Sequence, residues 1–427
     1  MNLNIRITGV ERIPLDVPFT PRTQPWNALL VGQWRIVEVI RVTTNAPGIV
    51  GYGETLPAYT WGKVSDAAIG RVIGANPVDL LGDDTLGCGL QMALYDLVGK
   101  LLDVPVHRLF TLPQVREWCQ IAWWNTKMPP DVLAEEACEA VAQGYTAHKI
   151  KARPWFDIHA QVAAISAVTP PHYHIDLDWN SMLLSAGQAA PLLAELERWK
   201  RISLIEEPIM RHDSAGNRAL RHKATTPLAL HLHPTTFPGE VGGHGDDVCD
   251  GYVVAWQGVG GLLRMGALCE AFNKPFFLQM VGTGLTTALC AHLGSVLPMA
   301  QWPAITCLNI FADDLLREPL TIQGGALRVP TGPGLGIIVD EEALERYRVE
   351  PSYIVAYPPQ ILSVVWSGGL AAHYADIEQC WADFMAGNQP MYESGVHLEL
   401  RPNDNSREWD DLRARVAKGP VREYGRL

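Results

Sequence analysis

The sequence predicts an α/β protein whose centre is a parallel (β/α) barrel, and three observations predict it. From about residue 115 the chain alternates strand-like and helix-like stretches, close to eight times over roughly 230 residues, which favours a closed barrel over an open sheet. The residues before that point are strand-rich and then helical. The residues after about 348 break the alternation, with Trp366, Trp381 and Trp409 spaced through a mixed segment that ends in a charged run from Asn403 to Arg415. The expected organisation is therefore residues 1–115, 116–348 and 349–427.

In order, residues 5–17 and 34–44 are β-branched runs and read as strands. Residues 18–30 and 54–62 read as long polar and aromatic loops, carrying Trp26 in the first and Tyr59 and Trp61 in the second. Their length favours function over mere connection. Residues 89–102 have helical spacing and stop at Asp103-Val-Pro. Strands are then expected at 117–124, 147–151, 172–178, 203–207, 227–233, 251–256 and 275–280, with helices at 130–143, 157–168 and 185–199. The last segment has no assigned role; a packing arm, a lid and a dimer contact all fit it.

The totals exclude some classes. A 427-residue chain that is 48% hydrophobic can bury a large core in more than one domain. A formal net charge of −12, without a basic block or zinc-knuckle spacing, argues against nucleic-acid binding. No apolar run is long enough to cross a membrane. The eight cysteines are scattered without a C-x-x-C pair and read as buried free thiols of a reducing compartment. The opening Met-Asn-Leu-Asn-Ile-Arg carries no apolar signal region, so the expected location is the cytoplasm.

The chemistry begins at Ala147-His-Lys-Ile-Lys-Ala-Arg-Pro154. On a strand, Lys149 and Lys151 project to one face and Ile150 to the other. Two crowded, partly buried ammonium groups lower a lysine pKa from about 10.4 toward the operating pH, which would make one of them a base. Isolated, such a pair is ordinarily a solvated strand face. Here the next two strands end in Asp178 and Glu206, hard oxygen donors suited to Mg²⁺. Singly, Asp178 reads as a helix N-cap and Glu206 as a solvated strand end. Together, at the strand ends where barrels collect their chemistry, they read as a metal site. An acidic chain handling an anionic substrate needs such local positive charge.

These residues resemble the enolase superfamily, in its mandelate racemase and muconate lactonizing enzyme branch. Lys149-Ile-Lys151 is similar to that branch's base motif, Asp178-Trp-Asn180 to its Asp-x-Asn, and Ile205-Glu-Glu-Pro208 to its second-ligand motif. Ala93-Leu-Tyr-Asp-Leu-Val-Gly-Lys100, Val259-Gly-Gly261, Ala291-His-Leu293 and Pro333-Gly-Leu-Gly336 match further motifs in order, over roughly residues 3–348. The resemblance implies a modified (β/α)8 TIM-type barrel under an N-terminal α+β capping domain, with a C-terminal extension outside the match. It also implies Mg²⁺ bound to a small-molecule carboxylate substrate, abstraction of the α-proton, and an enediolate stabilised by metal and lysines. By that analogy Lys151 is the base and Lys149 its electrostatic partner. Asn180 is auxiliary. Relatives commonly form homo-oligomers.

Three positions depart from the pattern. The fifth barrel strand reads His231-Leu-His233 where relatives carry an acid, so His231 is expected as third metal ligand and His233 as substrate-binding. Imidazole suits Zn²⁺, Fe²⁺ or Ni²⁺ better than Mg²⁺, which leaves another divalent metal open. The sixth strand has Ala255 where a lysine or aspartate is usual. The seventh has Gln279 where racemases carry histidine, and Gln279 can hydrogen-bond but cannot act as a base. Racemisation needs a base on each face of the carbanion. One furnished face points instead to a dehydratase or other lyase of a hydroxy acid or acid sugar. A cycloisomerase, a racemase, a non-catalytic binding protein of the same fold and a Schiff-base aldolase remain as alternatives.

Overall fold

The computed structural model describes residues 4–59, 62–232, 247–255 and 258–425. The chain opens with β1 (Ile7–Asp16), α1 (Gln24–Val31), β2 (Ile36–Thr44) and β3 (Val50–Thr55), the strands forming an antiparallel sheet in the order β1-β2-β3. Alternation sends Ile13, Leu15, Val37 and Val39 inward. After α2 (Asp66–Val72), α3 (Cys88–Leu102) lies on this sheet with nearly every residue buried. It lies so close that a β-carbon at Gly53 would stand 2.2 Å from the Gly89 carbonyl oxygen. The stretch 18–30, expected as a loop, carries α1. Pro25 sits in the first turn, where its missing N–H costs nothing. Trp26 on that helix meets Phe156 edge-on, ring centroids 5.9 Å apart.

The barrel runs β4 (Trp118–Asn125), α4 (Pro130–Ala142), β5 (Ala147–Lys151), α5 (Ile158–Val168), β6 (His174–Asp178), α6 (Ala186–Leu196) and β7 (Ile202–Glu206). It continues α7 (Ser214–Lys223), β8 (Leu228–Leu232), β9 (Gly251–Ala255), α8 (Val259–Ala271), β10 (Phe276–Gln279), α9 (Gly284–Val296) and β11 (Ala304–Ile305). All neighbours from β4 to β11 are parallel, and β11 pairs with β4 to close the ring. A small hairpin, β12 (Ile322–Gln323) and β13 (Ala326–Arg328), adds antiparallel to the start of β4, and α10 (Glu341–Tyr347) follows it.

Several motifs that carry the family resemblance turn out to clamp cap to barrel. Asp96 in α3 is buried and accepts from the Tyr52 and Leu335 amides at 2.8 Å each and from Lys100 at 2.6 Å. His292 in α9 is buried against His107, Nδ1 to Nδ1 3.3 Å, and reaches the Leu335 carbonyl at 3.1 Å. The Val259 and Gly260 amides bond Gln91 and Asp84 at 2.8 and 2.9 Å. Glu54, at the end of β3, accepts from the Thr283 amide and hydroxyl and the Thr286 amide at 2.6–2.7 Å. These bonds fix the cap over the strand ends.

The C-terminal segment is a four-stranded antiparallel sheet of β14 (Gln360–Val365), β15 (Leu370–Tyr374), β16 (His397–Pro402) and β17 (Val421–Tyr424), in the order β16-β14-β15-β17. Two helices, α11 (Ile377–Met385) and α12 (Arg407–Val416), accompany it. Its core includes Trp155, Phe156 and Met182 from the loops after β5 and β6, packed with Leu362, Trp366, Tyr374 and Phe384. The Asp157 amide donates to the Val396 carbonyl at 3.0 Å, and the Gly395 amide to Asp157 Oδ2 at 2.8 Å. The segment therefore roofs the rim of the barrel at its C-terminal face. All eight cysteines are free thiols, and seven of them are buried. Among the described residues no helix is long and apolar enough to cross a membrane.

Candidate active site

Strand alternation places Lys149 and Lys151 as expected, with Ile150 turned into the core. Register puts Lys151 opposite Asp178 and Asp178 opposite Glu206, so the last residues of β5, β6 and β7 form one row. Asp178 Oδ2 binds Lys151 Nζ and lies 3.2 Å from Lys149 Nζ, while its Oδ1 accepts the Asn180 amide at 3.0 Å. Lys149 Nζ is 2.5 Å from Glu206 Oε2 and donates to Gln279 Oε1 at 2.9 Å. Gln279 in turn donates to the Tyr59 hydroxyl at 3.2 Å, bringing the seventh strand and the second capping loop into the row.

The two lysines are electrostatically unlike. Burial works to lower the pKa of Lys149, but Glu206 and Asp178 outweigh it and hold the ammonium above the usual lysine range. Burial lowers Lys151 and prevails, opposed by Asp178 and assisted by the Lys149 charge. The lowered lysine is thus Lys151, and burial rather than lysine crowding is the leading cause. Its side chain is also the more open, 17% exposed against none for Lys149. Burial would raise Asp178, yet Lys151, Lys149 and Arg153 hold it well below the usual carboxylate range. Burial pushes the Tyr59 hydroxyl up to about 12.

His231 on β8 has Nδ1 3.5 Å from Glu206 Oε1, and its side chain is 22% exposed. Glu206 Oε1 is buried and receives no hydrogen bond among the described residues. As the side chains stand, no three His, Cys, Asp or Glu groups among the described residues converge as a ready ligand set. The donors nevertheless fit a divalent cation in kind: two buried carboxylates, one oxygen unclaimed by hydrogen bonds, and a nearby imidazole. His233 and Trp61 lie outside the described residues. Trp26 joins the core shared by the first capping loop and the C-terminal sheet.

Two cations at this face went unread in the sequence. Arg153 is 3% exposed, donates from Nη1 to the Asp178 carbonyl at 3.1 Å, and shares Asn180 Oδ1 with Lys151. Lys127, just beyond the end of β4, is fully buried. The available signal was position: a lysine two residues past a barrel strand end, and an arginine two residues past Lys151.

The family model described as enolase C-terminal domain-like matches residues 132–343. Among curated proteins, a D-xylonate dehydratase from Haloferax volcanii is 26% identical over 361 residues, covering 73% of this chain and 85% of that protein. Muconate cycloisomerase 1-2 from Acinetobacter lwoffii is 25% identical, covering 81% and 96%. Among solved structures, a mandelate racemase/muconate lactonizing family protein from Azoarcus sp. EbN1 superposes with a TM-score of 0.63 at 25% identity, covering 81% of this chain and 98% of that one.

Proposed function

We propose that this chain, a member of the enolase superfamily in its mandelate racemase and muconate lactonizing branch, abstracts the α-proton of a carboxylate substrate and dehydrates a hydroxy acid or acid sugar. The observation that carries the reading is the shared row of Lys149, Lys151, Asp178 and Glu206, facing a seventh strand that offers Gln279 and no base.

Lys151 is the base: burial holds its pKa below the usual lysine range, which favours the neutral amine a base needs, and its partial exposure leaves it open to substrate. Lys149, held cationic, stabilises the negative charge that develops on the carboxylate as the proton leaves. Asp178 and Glu206, with His231 as third donor, are the residues that would hold a divalent cation. That cation, Mg²⁺ or another, supplies Lewis-acid stabilisation of the same charge. The proton taken by Lys151 returns on the same face to the β-hydroxyl as it departs, so water is lost and Lys151 is restored. For a 2,3-dihydroxy acid the product enol becomes a 2-keto acid. Gln279 and Tyr59 orient Lys149 without exchanging protons. Eight free thiols suit a reducing compartment.

A panel of C4–C6 hydroxy acids and sugar acids, incubated with protein and Mg²⁺, Mn²⁺ or Zn²⁺ and followed by NMR, tests the assignment. The expected product is a 2-keto acid. An epimerised acid without loss of water would assign a racemase instead, and no turnover with any metal would support a binding protein.

A further inference from the structure

Lys127 is an anomaly that proton abstraction does not absorb. Lysine is almost never fully buried unless paired, yet Lys127 is fully buried and its Nζ has no hydrogen-bond partner among the described residues. It stands over two indoles, 5.5 Å from the ring of Trp155 and 5.6 Å from that of Trp381. Trp381 belongs to α11 of the C-terminal segment, and the Arg153 guanidinium lies 5.2 Å from the same ring. Burial and the Arg153 charge hold Lys127 well below the usual lysine range, while an acid in electrostatic reach, Glu378, is solvent-exposed.

The groups around it are donors. Arg153 Nε, Trp155 Nε1 and the Tyr392 hydroxyl are also buried without partners. Tyr392, likewise from the C-terminal segment, packs on Trp179 at 5.2 Å and is in electrostatic reach of Arg153. No carboxylate stands in this set, and of its members only the Tyr392 hydroxyl can accept as well as donate. The charge is uneven too: Asp178 and Glu206 are taken up by Lys149 and Lys151, and Asp176 lies in reach of Lys149, whereas Lys127 has no hydrogen-bond partner among the described residues. Glu207 is already engaged by Ser181 and Arg211. A substrate with one carboxylate, held at Lys149, leaves Lys127 unanswered.

We propose that Lys127 and Arg153, roofed by Trp381 and Tyr392, form a second anion-binding subsite that takes a distal carboxylate of the same substrate, making that substrate a diacid. The subsite rests on the reading of the barrel mouth as the reacting centre, because Arg153 and Lys151 share Asn180 Oδ1 and the subsite therefore borders the base. The C-terminal segment then selects substrate, which its position over the rim makes possible and the 132–343 family match leaves out.

The test is calorimetric titration of the full chain, with Mg²⁺, by a panel of C4–C6 diacids and the mono-acids of equal length. Lys127→Met serves as the variant because it keeps the volume and drops the charge. Wild type is expected to bind a diacid at least about tenfold tighter than its mono-acid, the difference a charge-assisted contact makes. Lys127→Met is expected to abolish that preference, leave mono-acid affinity unchanged and raise the Tm of the ligand-free protein, since a buried amine without a hydrogen-bond partner is removed. Equal affinities in wild type, a preference that survives Lys127→Met, or no diacid bound would each overturn the subsite. Lys127-dependent binding of inorganic phosphate without a diacid preference would assign the place to a separate anion and overturn it as a substrate subsite. Solvent deuterium exchange at the α-carbon, run alongside, separates the two readings: exchange without diacid preference sinks the subsite alone, and diacid preference without exchange sinks the proton abstraction alone.

Discussion

Two regions of the barrel mouth differ by a single rule. In the row at the ends of β5, β6 and β7, every buried ammonium has a buried carboxylate, and one Asp178 oxygen serves both lysines. Under the C-terminal sheet, Lys127 has aromatic faces and a cationic neighbour but no hydrogen-bond partner among the described residues, and the acid in reach, Glu378, is solvent-exposed. The first region is electrostatically complete and differs internally only in which lysine keeps its proton. On the proposed reading, chemistry belongs to the first and recognition of a second carboxylate to the second.

The sharpest break in this comparison is to make the first region resemble the second. Asp178→Asn leaves Lys151 without its carboxylate and Lys149 with one instead of two. The cost of breaking a buried pair is about 3–5 kcal/mol, so chemical denaturation at neutral pH is expected to show a loss near 3 kcal/mol. The pH dependence has a definite sign. Asp178 binds its proton less readily when folded than unfolded, where it titrates near 3.9. Its contribution is therefore present above about pH 4 and lost as pH falls below that. The variant lacks this part of the acid limb, and an unchanged limb would contradict the pairing.

A smaller effect is expected on the rate profile. As the proposed base Lys151 works as the neutral amine, so kcat/KM is expected to rise with pH to a midpoint below the free lysine value of about 10.4. Arg153→Met removes a repelling cation and is expected to move that midpoint upward. A midpoint that stays or falls would place Arg153 outside the electrostatics of the base. The smallest effect belongs to Tyr59→Phe, which loses the hydrogen bond from Gln279 at a cost of about 1 kcal/mol, a few-fold in kcat/KM. A loss beyond about a hundredfold would instead make Tyr59 an acid in the reaction.

How much of this was legible in the sequence follows from distance along the chain. Lys149, Lys151, Asp178 and Glu206 were legible because strand alternation and the strand-end rule act over a few residues, and parallel register then aligns the ends of successive strands. Their pairing was not, since which oxygen a lysine takes depends on side-chain packing across three strands. Helix α1 was missed because Pro, Thr and Gln read as loop chemistry, while the packing of Trp26 on Phe156 is a long-range contact. The aromatic cage was least legible of all. Lys127 and Trp155 come from the start of the barrel and Trp381 from α11, so no local pattern joins them. Gly334, Leu335 and His292 were legible as motifs, but they serve the junction between cap and barrel rather than the reaction.

The most direct test of the central claim is solvent deuterium exchange into the α-carbon of a turned-over substrate by wild type and Lys151→Ala, each first checked for fold and metal binding. Wild type is expected to exchange one face, and Lys151→Ala to lose exchange by at least about a thousandfold. Exchange retained in Lys151→Ala would contradict the assignment of Lys151 as the base.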